Sequence, residues 1–104
     1  MVVYIVSRFP RGVGRVRLMK LLYLVDDVAR RELGRPVTGV KWSLRPYGPF
    51  SREVLEVLGR LSLEGRLVCG EECLTLEEPP ELPAEVRGVV DRVVEEYGFL
   101  PMRE

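Results

Sequence analysis

Cys69 and Cys73, separated by Gly70-Glu71-Glu72, carry the most specific side-chain chemistry in this chain of 104 residues. If the three intervening residues form a three-residue hairpin loop, the cysteines face each other across the strands at a separation that a disulfide bridges. A four-residue loop puts them out of register, and the position of Gly70 does not settle which loop is used. Two free thiols are the alternative, and a redox or metal role is a third. Zinc takes four ligands, and the chain has no His and no further Cys, so no metal site is expected. The missing His also removes the commonest general base and leaves every serine without an imidazole to activate it. Paired carboxylates offer no substitute. Glu71-Glu72, Glu77-Glu78 and Glu95-Glu96 fall in a turn, a linker and a helix end, where solvation explains them. Asp26-Asp27 is followed four residues later by Arg30-Arg31, the spacing of helical ion pairs worth about 0.2–0.5 kcal/mol each. The chain therefore reads as a non-enzyme that uses no cofactor.

Arg11-Gly12-Val13-Gly14-Arg15-Val16-Arg17 has the look of a phosphate loop but lacks its chemistry. It has neither the third glycine of the dinucleotide fingerprint nor the Gly-Lys-Ser/Thr of a P-loop, and it lies between two expected helices. A turn is the better reading, although its three arginines could meet a nucleic-acid backbone through charge alone. Composition bounds the rest. A chain with 46% apolar and 31% charged residues is a soluble globular protein, of a length suited to one domain. Val2 to Val6 is apolar but too short to span a bilayer and has no basic region ahead of it, so no membrane role is expected and the default location is cytoplasmic. The absence of Asn and Gln, with 14 Arg against 2 Lys, follows the trend of proteins from hot environments, which makes a hyperthermophilic source the expectation.

Net charge is zero but uneven. Residues 1–66 carry 13 basic and 6 acidic side chains, and residues 67–104 carry 3 basic and 10 acidic. The resulting split of +7 and −7 allows an anionic partner for the first part, an acidic segment folded back on it, or a homodimer joined by the two halves. Charges solvated on separate faces would leave the same pattern.

The hydrophobic pattern outlines the elements that must place these groups. Val2 to Phe9 reads as a short helix, although its Val and Ile suit a strand equally. Leu18, Leu21, Leu22, Val25, Val28, Ala29 and Leu33 recur at helical spacing across Arg15 to Leu33, and Gly34 with Pro36 stops that helix. Thr38 to Leu44 changes to period two, with Val40, Trp42 and Leu44 alternating against polar residues, the signature of a half-buried strand. Ser51 caps a helix running to about Glu64, with Val54, Leu55, Leu58 and Leu61 as its buried stripe. Leu67 to Cys69 and Cys73 to Glu77 form a short hairpin. Residues 77–83 are a stiff Pro/Glu linker, and 84–98 form a C-terminal helix whose valines need tertiary packing to hold it. The expected fold is a single α+β domain over residues 1–104. It is mostly helical, with about four helices plus a strand and a short β-hairpin, and is winged-helix-like.

The helix from Ser51 would be the recognition helix of such a fold. Arg52 and Arg60 lie on its exposed side, but so do Glu53, Glu56 and Glu64, which would repel phosphates in a major groove. Lys41, Arg45 and Arg66 extend the positive surface, and Tyr47 could stack on an unpaired base. The same six residues, Lys41, Arg45, Tyr47, Arg52, Arg60 and Arg66, could equally rim a protein interface, where Tyr and Arg are enriched. Tyr47 sits in Arg45-Pro46-Tyr47-Gly48-Pro49-Phe50-Ser51, which reads as a joint: the prolines hold the preceding residues extended and Gly48 permits the bend.

Two segments, Arg17–Asp26 (RLMKLLYLVD) and Arg45–Val68 (RPYGPFSREVLEVLGRLSLEGRLV), together resemble the Panacea or SocA-like antitoxin domain family. The resemblance rests on Lys20-Leu21-Leu22-Tyr23 with Asp26, on Tyr47-Gly48-Pro49 opening a helix, and on the step Gly65-Arg66-Leu67-Val68, and it covers roughly residues 15–70. It implies a non-enzymatic regulatory domain that acts by binding a protein, since characterised members neutralise a partner toxin by binding it or act as adaptors. Because only Phe99 to Glu104 follow Gly98, partner specificity is expected to lie within this domain. Two other readings stand beside it: a winged-helix-like nucleic-acid binder using the Arg-rich first two-thirds, and a structural subunit of a larger assembly.

Overall fold

The structure, a computed structural model, describes residues 1–99. At its centre lies α2 (Arg15–Leu33), which ends at Gly34 as the sequence predicts. Its apolar stripe is buried at Leu18, Leu21, Leu22, Val25 and Ala29, while Val28 and Leu33 are half-buried at the margins. Packed against α2 are α1 (Val2–Ser7) and α4 (Ala84–Tyr97). The helix α4 turns Val89, Val90, Val93 and Val94 inward. Valine loses side-chain freedom in a helix, so burial must compensate; a fully buried Val contributes about 1.5 kcal/mol or more.

Ser51 starts α3 (Arg52–Leu63) in extended backbone, and its hydroxyl oxygen accepts a hydrogen bond from the Val54 amide at 3.3 Å. Val54, Leu58 and Leu61 of α3 enter the core, whereas Leu55 stays on its exposed margin. The chain then forms the hairpin of β4 (Leu67–Cys69) and β5 (Glu72–Thr75). A two-residue strand, β1 (Val13–Gly14), pairs with the other edge of β5, so the sheet order is β1-β5-β4, antiparallel throughout. β1 falls inside the Arg/Gly stretch that the sequence reads as a turn. Two residues are too few to show a strand period.

Residues 38–44 depart from the expected strand. Thr38 to Trp42 are irregular, because Gly39 adopts φ +70°, a left-handed conformation foreign to a strand. The strand is confined to β2 (Ser43–Arg45) and pairs with β3 (Gly48–Phe50), with Leu44 opposite Pro49 and Arg45 opposite Gly48. The joint is thus a hairpin of its own, closed by Pro46-Tyr47 and by Gly48 at φ +125°. Pro49 concealed β3 from the sequence reading, since a residue with no N–H argues against a strand. Leu44, expected to face inward, is 76% exposed. Among the described residues four helices and two small antiparallel sheets make up one α+β domain, the expected fold class.

Candidate functional site

The β2–β3 hairpin, the start of α3 and the irregular segment before β2 meet at one corner. Lys41, Arg45 and Arg52 line a groove of about 330 Å³ there, together with the aromatic faces of Trp42 and Phe50. Arg45 holds its guanidinium 4.7 Å from the centre of the Phe50 ring, a cation–π contact that orients the charge in advance. Among the described residues none of these three cations has an ion-pair partner. Glu53 and Glu56 line the same groove, and Glu53 is partly engaged: its Oε1 accepts the Lys41 amide at 3.0 Å. On the same hairpin Leu44 is 76% and Tyr47 57% exposed, but neither lines the groove, and Leu44, alternating with Arg45 along β2, faces the opposite side. The hairpin therefore exposes one aliphatic and one aromatic side chain in addition to a groove lined by three cations that have no ion-pair partner among the described residues.

The remaining two candidates lie elsewhere. Arg60 is exposed on α3 and does not line the groove. Arg66 is engaged by Glu77 at 2.6 Å and by Glu64 at 3.5 Å. The hydrogen bond to Glu77 is the main reason its pKa is raised above the ordinary guanidinium value. Arg66 instead borders a separate, largely apolar groove of about 400 Å³ near Val37, Val40 and Val57. A further hollow of about 440 Å³ beside Phe9, Arg11, Arg17 and Phe99 reaches the end of the described residues.

Asp26 positions the corner, and the sequence reading misplaced it. It does not pair with Arg30; it is 1% exposed on the buried face of α2, while its neighbour Asp27 forms the expected pair with Arg31 at 2.8 Å. Its Oδ1 accepts the amides of Val37 at 2.9 Å and Thr38 at 2.7 Å. Its Oδ2 accepts the Thr38 hydroxyl and the Trp42 indole N–H, the latter at 3.1 Å. A buried carboxylate is tolerated only when its lone pairs are satisfied, and here four donors from one segment do so. Tyr23, one turn earlier on α2, meets the Trp42 ring edge-on at 5.6 Å. The segment carrying Lys41 is thus pinned by Asp26 and Tyr23 from one side and by Glu53 from the other. A signal was present: Asp26 stands four residues after Leu22 and three before Ala29, within the apolar stripe.

At the hairpin tip, Cys69 lies opposite Cys73 in the three-residue-loop register, and their sulfurs are joined, with Cα atoms 4.1 Å apart. Among the described residues no group of three His, Cys, Asp or Glu side chains is placed to hold a metal ion. No described helix is long and apolar enough to cross a membrane. The charge halves meet within the chain: Arg8 binds Asp91 at 2.5 Å, Arg66 binds Glu77, and Arg35 reaches Glu85 at 3.8 Å. Arg92 in turn binds Glu32, whose carboxyl is held below its ordinary pKa chiefly by that hydrogen bond.

A family model described as Antitoxin SocA-like, Panacea domain, matches residues 18–104. No curated protein and no solved structure matches the chain.

Proposed function

Because this chain belongs to the SocA-like Panacea domain family, we propose that it is a regulatory, antitoxin-like domain that binds a protein partner, such as a toxin, through the corner built on β2–β3 and α3. The carrying observation is the groove in which Lys41, Arg45 and Arg52, without ion-pair partners among the described residues, meet Trp42 and Phe50, on a hairpin that also exposes Leu44 and Tyr47. Tyr and Arg are the side chains that most often dominate binding energy at protein interfaces. Tyr supplies large contact area at low entropic cost, and Arg supplies directional donors, with Arg45 already oriented by Phe50. Such a module works by occupancy. It covers a partner's surface and transfers no group.

Nucleic acid is the second reading, favoured by one observation: α3 leads into a hairpin within a three-stranded β1-β5-β4 sheet, as in winged-helix-like domains. Charge argues against it. Glu53 and Glu56 share the groove with the cations, and the β4–β5 hairpin carries Glu71 and Glu72 at its tip, where phosphates would be repelled. The exposed aliphatic Leu44 also suits a protein surface better than a phosphate backbone.

The test is growth rescue. The product of the neighbouring gene is expressed at a toxic level with this protein, with the double variant Arg45→Ala/Tyr47→Ala, or with neither. Rescue by the wild type and its loss in a folded double variant is the expected result. Undiminished rescue by the variant would remove the corner, and toxicity that the wild type never relieves would remove the antitoxin reading. A salt titration against DNA and RNA decides the second reading, since phosphate-driven affinity falls steeply with salt.

A further inference from the structure

The β4–β5 hairpin ends in two sulfurs that the corner does not use, and their surroundings differ. Cys73 lies on the middle strand of the sheet, paired with Cys69 on one side and Val13 on the other, and is 0% exposed. Cys69 is the last residue of the outer strand, next to the turn at Gly70, and is partly exposed. Thiol–disulfide exchange needs an incoming thiolate to reach one sulfur, so access decides which sulfur is attacked. Cys69 packs partly against the core but is the more exposed of the two residues, which makes its sulfur the more accessible one.

We propose that Cys69 is a modification site for low-molecular-weight thiols such as glutathione, with Cys73 as its resolving partner. The incoming thiolate forms a bond to the Cys69 Sγ. The bond between the two cysteine sulfurs breaks, its electron pair leaves with the Cys73 Sγ, and that sulfur takes up a proton. The products are a mixed disulfide at Cys69 and a thiol at Cys73, with the small thiol as the only reductant. In the return step the Cys73 thiolate attacks the Cys69 Sγ and releases the small thiol. Pairing of Leu67 with Thr75 and of Val13 with Cys73 keeps the two residues opposed between these steps. The tip is also held independently of the sulfurs, by Arg15 Nη1 donating to the Gly70 carbonyl at 2.8 Å and by the Gly70 amide donating to the Glu72 carbonyl at 3.1 Å. The folded protein can therefore open this bond without losing the hairpin.

The folded wild-type protein is incubated with reduced glutathione, quenched in acid, alkylated and mapped by peptide fragmentation. The expected product carries glutathione on Cys69 and the alkyl group on Cys73, in about tenfold or greater excess over the reverse arrangement. Equal labelling, glutathione on Cys73, or reaction only after unfolding in urea overturns the proposal. Single-thiol variants give a second reading with oxidised glutathione. Folded Cys73→Ser should react about tenfold or more faster than folded Cys69→Ser, with the difference vanishing in urea. Equal rates in the folded state overturn it, and if either variant fails to fold, the wild-type map decides.

Discussion

Asp26 shows how one side chain can organise a surface it never reaches. Its carboxylate is buried on α2, yet all four of its donors come from residues 37–42, the segment that brings Lys41 and Trp42 to the corner. Asn at this position keeps the shape but replaces one acceptor oxygen with a donor, so at least one buried bond is lost. Asp26→Asn is expected to cost about 1.5–3 kcal/mol in urea unfolding. Trp42 is the single tryptophan, so its fluorescence should change in the same variant. An unchanged midpoint and emission would show that the carboxylate does not hold this segment. Tyr47 behaves oppositely: it is exposed, and Tyr47→Ala is expected to change stability by no more than about 0.5 kcal/mol.

Helix limits follow from local chemistry, whereas a short strand is defined only by the strand it pairs with. Ser51 illustrates the first case, since its hydroxyl caps α3 just where the β2–β3 hairpin ends. Ser51→Ala is expected to lower stability by about 1 kcal/mol and Ser51→Gly by less, as read by thermal or urea unfolding. If the alanine variant proves as stable as the wild type, the cap does not define this junction. The second case is the paired strands. β2 and β3 are three residues each, and β1 is two, so none has enough length for an alternating pattern to stand out. The period-two run at 38–44 pointed to a longer strand, but Gly39 and the hold of Asp26 on Val37 and Thr38 take that backbone elsewhere.

Across the whole molecule, the basic first part and the acidic last part are joined inside one chain. Asp91 of α4 accepts both Arg8 and the Tyr4 hydroxyl, the latter at 2.7 Å, and so ties the last helix to the first. Burial, and then the bond to Asp91, raises the Tyr4 pKa above its ordinary 10.0. A raised pKa means that the folded state favours the protonated phenol. The associated stability is complete below the unfolded value and is lost as pH rises through the folded one. Spectrophotometric titration should therefore find a tyrosine ionising above pH 10.0, and Tyr4→Phe should remove that component. Unfolding experiments should show stability falling above about pH 10 more steeply in the wild type than in that variant. A wild-type titration in which no tyrosine ionises above pH 10.0 would contradict this link.

What could be read from residue order alone was whatever depends on near neighbours. The buried stripe of α2, its stop at Gly34, the cap at Ser51 and the nearness of Lys41, Arg45 and Arg52 to one another all follow from spacings of a few residues. Other features required contacts between residues far apart in the chain. Asp26 was read as a surface ion pair because Arg30 lies four residues away, whereas its actual donors lie 11 to 16 residues away. Arg66 has the charge of a binding cation, but Glu77, 11 residues on, occupies its guanidinium. Cys73 is enclosed because Val13 of β1, far earlier in the chain, pairs with it on the other edge of β5. Sequence spacing encodes the period of a helix, but a long-range partner is chosen by packing, and packing leaves no local signature.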